Sequence, residues 1–193
     1  MMPDPVGGPS AVWHAYRNRL RRRQLLFRAF LRRKDLTQVT DRTAAIRDSD
    51  VLCFVCVRNE ARRLPAFLAH NRRLGVGHFL IVDNASEDAT AAILADQPDV
   101  SVWRTEASYK ASRFGMDWLT WLMLQFGHGH WCLTLDADEI LVYPYWETRS
   151  LPALTDWLDQ QGRTSFGALT VDMYPDGPVS RQDLSVADDP ITH

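Results

Sequence analysis

The sequence predicts an α/β fold in which a largely parallel sheet is covered by helices on both faces. Three observations lead there. Short apolar runs recur at Val51–Val57, Phe79–Val82, Val100–Arg104 and Trp131–Leu135. Segments with leucine, alanine or tryptophan at helical spacing separate most of these runs. The intervals suit crossover helices, which parallel strands require because a tight turn cannot join them.

The elements follow in chain order. Ala11 to Lys34 is rich in Leu and Arg and has no Pro or Gly, which predicts one long helix. After the first strand, Glu60 to Leu74 reads as a helix that Gly75-Val76-Gly77 ends before the second strand. Asp88 to Gln97 reads as a helix with Ser86 or Asp88 at its cap and Pro98 at its end. Val100–Arg104 is the third strand, Ser112 to Phe126 a buried helix closed by Gly127, and Trp131–Leu135 the fourth strand. Ser150 and Pro152 start a helix over Leu151–Gln160, and Ala168 to Met173 reads as a fifth strand. Residues 1–49 are thus expected to form a basic helical extension and 50–193 the main domain. Beyond Tyr174 the chain turns to Pro, Gly, Asp and Ser, so that domain is expected to be incomplete at its C-terminal side.

A chain of 193 residues with 46% apolar and 24% charged residues matches one soluble domain and excludes disordered, collagen-like and disulfide-scaffold classes. Its cysteines, Cys53, Cys56 and Cys132, are odd in number and sit in apolar runs, which favours buried thiols in a reducing compartment. Cys53 and Cys56 have the C-x-x-C spacing, but within a strand rather than at a helix start, which argues against a redox or metal role. No apolar stretch is long enough to cross a bilayer and the N-terminus lacks a secretory pattern. A cytoplasmic protein, or one peripheral at the inner membrane face, is therefore expected.

Charge is unevenly distributed. Nine of the 22 basic residues lie between Ala11 and Lys34 with no acid among them, leaving 13 basic against 24 acidic residues, a net −11, elsewhere. Three environments suit such a helix. In order of preference they are packing by its apolar side on the acidic domain or a second chain, an anionic membrane surface, and nucleic acid.

In open α/β sheets ligands bind beyond the carboxyl ends of the strands. There the sequence places Arg58-Asn59-Glu60, then Asp83-Asn84-Ala85-Ser86-Glu87-Asp88, then Asp136-Ala137-Asp138-Glu139. No Gly-rich phosphate loop follows the first strand. Asp136 and Asp138, two apart at a strand end, point the same way and suit one hard cation, Mg²⁺ or Mn²⁺, bridging to a diphosphate. The alternative is that these acids cap the next segment or are simply solvated. His128 and His130 flank a turn glycine, Lys110 and Arg113 are surface or phosphate-reaching residues, and Trp118 and Trp121 belong to a helix core rather than a sugar platform.

Val57-Arg58-Asn59-Glu60, Ile81 to Thr90 and Leu135 to Glu139, in this order, resemble the family-two glycosyltransferases of the GT-A fold, in particular their bacterial branch. The likeness runs from about Asp50 to Asp176 and covers the N-terminal, donor-binding part of that Rossmann-like fold. It implies a metal-assisted, inverting transfer of a sugar from a nucleoside-diphosphate donor to a hydroxyl of a saccharide or other acceptor. It further implies that Asp83 contacts the base, Asp136 lies near the ribose and the metal, Asp138 binds the metal, and Asn59 and Glu60 line the nucleoside pocket. No catalytic base is assigned; Asp172 is the one late carboxylate in a suggestive setting. A noncatalytic nucleotide-sugar-binding or membrane-associated protein is the main alternative, and a nucleotidyltransferase is disfavoured because its Gly-rich basic loop is missing.

Overall fold

The computed structural model describes residues 9–171. Its elements are α1 (Pro9–Arg32), β1 (Thr37–Thr40), β2 (Val51–Val57), α2 (Leu64–Leu74), β3 (Val76–Asp83), α3 (Thr90–Ala95), β4 (Val100–Arg104), α4 (Met116–Phe126), β5 (Cys132–Thr134) and α5 (Leu151–Gln160). The class is α/β, with one sheet in the order β1-β4-β3-β2-β5. β2, β3, β4 and β5 run parallel, and β1 pairs antiparallel with β4 at one edge.

β2 and β3 are central strands, so nearly all of their residues are buried. Their continuous apolar runs follow from burial on both faces. Side chains alternate along β2: Val51, Cys53, Val55 and Val57 pack with Leu64, Phe67 and Leu68 of α2, Leu94 of α3 and Leu151 of α5. Leu52 and Phe54 point to the other face, against Trp118, Leu119 and Leu122 of α4. Ser150 caps α5 by accepting a bond from the Ala153 N–H at 3.3 Å.

α1 forms an outer layer on α4. Its Ala29 is fully buried, and Phe30 meets Trp121 edge-on at 6.0 Å. Asp117 of α4 is buried without exposed surface, and Arg28 of α1 donates to it at 3.0 Å while Arg113 approaches at 3.4 Å. A carboxylate removed from water needs such partners, because its desolvation is otherwise uncompensated. The packed-helix expectation therefore describes the C-terminal part of α1.

Several expectations are corrected. β1 is absent from the sequence reading: Thr37-Gln38-Val39-Thr40 is an exposed edge strand without an apolar run. The helix after β2 starts at Leu64 rather than Glu60, with Pro65 in its first turn, where a missing N–H costs nothing. α3 is shorter than Asp88–Gln97. α4 starts at Met116 rather than Ser112, because Arg113, Phe114 and Gly115 all take positive φ, which breaks the helix. Ala168 to Val171 are exposed and form no strand, so the expected fifth strand is not present there; Asp172 and Met173 lie outside the described residues. No helix among the described residues is long and apolar enough to cross a membrane.

Cys53 and Cys56 project to opposite faces, as residues three apart in a strand must, which separates the C-x-x-C pair. All three cysteines are free. The expectation of buried thiols holds for Cys53 and in part for Cys56 but not for Cys132, which is exposed because β5 is an edge strand. Desolvation pushes the Cys53 thiol up.

His78 of β3 carries a pH consequence. Its ring is buried, and its Nε2 lies 2.9 Å from the Ser101 hydroxyl, which accepts from the Arg42 N–H at 3.0 Å. Burial holds the imidazole below its ordinary value, against the opposing pull of Asp99 and Asp50. The unfolded chain therefore binds a proton more readily than the folded one. Stability from this site is full above the ordinary imidazole value, about 6.5, and falls as pH drops below it toward the depressed folded value. Urea unfolding between pH 7.5 and 5.5 is expected to show this decline, and His78→Gln is expected to flatten it.

Candidate functional site

The sheet order contains a reversal. From β2 the chain steps to β3 and then β4 on one side, and then returns to place β5 on the other side of β2. At such a switch point the connections leave in opposite directions and open a crevice at the carboxyl ends of the strands. A cleft of about 350 Å³ lies there, lined by Cys56 near the end of β2, Arg58 and Glu60 after it, Asn84 after β3, Tyr109, and the Asp136-Ala137-Asp138 segment after β5. A wider groove of about 1750 Å³ shares Asp136 and Asp138 and extends toward β5, α5 and residues 164–171.

The loops after β2 and β3 start side by side, because Val57 pairs with Asp83. They are bound to each other by side chains. The Asn59 N–H donates to Ser86 Oγ at 3.0 Å, and Asn59 Oδ1 accepts from the Glu87 N–H at 2.8 Å. The Glu60 N–H donates to Thr90 Oγ1 at 2.9 Å and the Ala61 N–H to Asp88 Oδ2 at 3.1 Å. Asp83 is buried; its Oδ1 accepts from the Ser86 N–H at 2.9 Å, and Arg104 approaches its other oxygen at 3.9 Å. Asn84 donates to the carbonyls of Thr105 and Ala107 at 3.2 and 3.0 Å. Every backbone amide in these bonds would otherwise have to find water.

The structure therefore divides the residues singled out by the sequence. Glu60, Asp136 and Asp138 meet at one cleft. Asn59 and Asp83 adjoin it in sequence but are engaged by loop backbone. Asp136 and Asp138 are exposed around a buried Ala137, in a turn closed by the Glu139 N–H to the Asp136 carbonyl at 3.0 Å. Glu139 also accepts from the Asp136 N–H at 3.1 Å. Partial burial raises the Asp136 carboxyl above its ordinary value, and the charges of Glu139, Asp138 and Glu60 raise it further. Among the described residues no basic side chain forms an ion pair with Asp136 or Asp138.

Tyr109 and Cys56 are cleft residues that the sequence reading missed. The Tyr109 phenol is raised by burial and by the nearby Cys56, Asp136 and Asp138. Burial, Asp136 and Asp83 push the Cys56 thiol up to about 12, so it stays protonated. Gly115 allows this corner to close. Its φ is +78°, and a Cβ there would lie 3.0 Å from Cys56 Cβ and 3.2 Å from the Tyr109 ring. Cys56 is legible only as part of a C-x-x-C pair that the strand separates, and Tyr109, in a long connection, carries no local motif.

Other candidates lie elsewhere. Arg113 is taken by Asp117, Lys110 is exposed, and His130 Nδ1 lies 3.0 Å from the Asp50 carbonyl. Trp118 is a buried core residue, and Trp121 packs against the same cluster. Among the described residues no group of three or more His, Cys, Asp or Glu side chains is arranged to hold a metal by protein ligands alone.

The loop tie has a measurable strength. Asn59 has φ +57°, a left-handed conformation that Asn tolerates better than Ala. Asn59→Gly is expected to cost about 1 kcal/mol from the lost side-chain bond, and Asn59→Ala about 2–3 kcal/mol because backbone strain is added. Urea titration of both variants separates the two contributions. Comparison with protein-family models, with curated proteins and with solved structures gives no match.

Proposed function

We propose that the protein is a metal-assisted glycosyltransferase of the GT-A type that takes a nucleoside-diphosphate sugar as donor and a hydroxyl as acceptor. One observation carries this reading. Two carboxylates with no basic partner among the described residues, Asp136 and Asp138, stand at the switch point of a mainly parallel sheet beside the Arg58-Asn59-Glu60 loop. The order of the three motif segments supports the same reading.

The residues present fit a divalent cation. Their donor atoms are hard carboxylate oxygens, the ligand type that suits Mg²⁺ or Mn²⁺. Burial first and the charges of Glu139, Asp138 and Glu60 next raise Asp136, and a bound cation would relieve the repulsion among these acids. Such ions are commonly held by one or two carboxylates together with substrate phosphates, so a two-carboxylate site is sufficient. When bound, the ion would stabilise negative charge on the departing nucleoside diphosphate.

The chain's own groups have distinct parts. Asp138 and Asp136 would hold the cation, and Arg58, on the same cleft, would offer a fixed positive charge to phosphate. Glu60 and Asn84 border the space for the nucleoside. Asp83, assigned by resemblance to the base, acts through the loop that its Oδ1 secures. The wider groove beyond Asp138 is the space left for an acceptor.

Calorimetry of UDP and GDP binding, with Mn²⁺ and with chelator, tests the reading. At least one of the two is expected to bind with an affinity at least tenfold higher in Mn²⁺. Asp138→Ala is expected to remove that gain, and Asp138→Asn nearly so, since it keeps an oxygen but loses the charge. Binding to neither nucleotide, or equal binding in chelator, overturns the metal-bridge reading. Turnover of a sugar donor would distinguish an enzyme from a noncatalytic binding protein.

A further inference from the structure

α1 has two apolar faces, and α4 covers only one. Leu25 and Leu26 are partly buried and Ala29 fully so on the covered side. At about 100° per residue, Trp13, Tyr16, Leu20, Phe27 and Leu31 fall within an arc of about 60°, centred about 170° away from Ala29. All five are between 40% and 61% exposed. The rings of Trp13 and Tyr16 stack at 5.9 Å. With a rise of about 1.5 Å per residue, the stripe from Trp13 to Leu31 is about 27 Å long.

Arginines flank this stripe. On the same projection Arg17 and Arg21 lie on one side and Arg19 and Arg23 on the other. All four are exposed. Arg28 is excluded from the set because Asp117 engages it.

We propose that the outer face of α1 lies in the surface of an anionic bilayer. The aromatic and leucine side chains enter the boundary between headgroups and acyl chains, and the flanking arginines pair with lipid phosphates and carboxylates. The inference is independent of the donor site. It needs no unpacking of α1, because the docked face and the Arg28–Asp117 pair stay as they are. The net −11 of the remaining chain is repelled by the same surface, so charge orients the protein with α1 toward the lipid.

Other occupants fit less well. Two copies of this face brought together would oppose eight arginines with no acid between Ala11 and Lys34 to pair them. Nucleic acid would meet the arginines but leave the Trp, Leu and Phe stripe unburied.

The test is sedimentation of the full chain with vesicles of phosphatidylcholine alone or with about one third phosphatidylglycerol, at low and high salt. Binding is expected to be at least tenfold stronger to the anionic vesicles and to fall as salt rises. The double variant Leu20→Glu with Phe27→Glu and the quadruple variant Arg17→Gln, Arg19→Gln, Arg21→Gln and Arg23→Gln are each expected to lose at least tenfold. These positions are exposed, and unchanged circular dichroism in buffer verifies the fold. Lipids brominated along their acyl chains are expected to quench the wild-type fluorescence and to quench Trp13→Phe less. No preference for anionic vesicles overturns the proposal. So does anionic-vesicle binding that the glutamate variant retains, which would be adsorption of charge without insertion. A dimer in buffer that the glutamate variant dissociates would assign the face to a second copy, and tighter binding to RNA than to vesicles would assign it to nucleic acid.

Discussion

The cleft depends on two loops that leave adjacent parallel strands and are tied to one another. Because Val57 and Asp83 are partners across β2 and β3, the loops begin side by side and must satisfy their backbone N–H groups in a small space. Asn59, Ser86, Asp88 and Thr90 supply the acceptors across the gap. Much of the polar character of these segments is therefore used to hold the loops in shape. Arg58 and Glu60 remain at the cleft because their neighbours do that holding.

Several buried and half-buried acids of the domain are met by guanidinium groups, whereas, among the described residues, the exposed acids Asp136 and Asp138 at the cleft are not. Asp117 sits between Arg28 and Arg113, Asp99 is bound by Arg72, and Asp50 is met by Arg47. In each case a guanidinium offsets the desolvation of a buried or half-buried carboxylate. Asp136 and Asp138 have no such partner among the described residues, and their own mutual repulsion contributes to raising Asp136. A carboxyl in a cleft that is perturbed by partial burial and by like charges marks a candidate functional site.

The opposite face of the sheet has a separate organisation. α4 is apolar toward β2 and β3, yet it carries Asp117 on the side where α1 crosses it. That one buried acid selects a basic partner helix and fixes which side of α1 is covered. The covered side determines the exposed one, so the stripe from Trp13 to Leu31 faces away from the domain as a consequence of the Arg28–Asp117 contact and the burial of Ala29.

By itself the sequence determined the elements whose burial is written into local periodicity. β2 and β4 fall on the expected residues, α5 begins after the expected cap, and α1 is continuous where neither Pro nor Gly interrupts it. The motif loops were legible for the same reason, since polar residues directly after a buried strand stand out against its apolar run. Tertiary structure alone decided the rest. Thr37–Thr40, without an apolar run, is a strand because β4 offers it a free edge, whereas the more apolar Ala168–Val171 pairs with no strand among the described residues and is exposed. The placement of β5 beside β2 creates the switch point and brings Cys56 to the acids, and Tyr109 reaches the same cleft although nothing near it in sequence marks it. Periodicity reports which side of an element is buried, whereas strand order and the faces that meet depend on how the crossovers pack together.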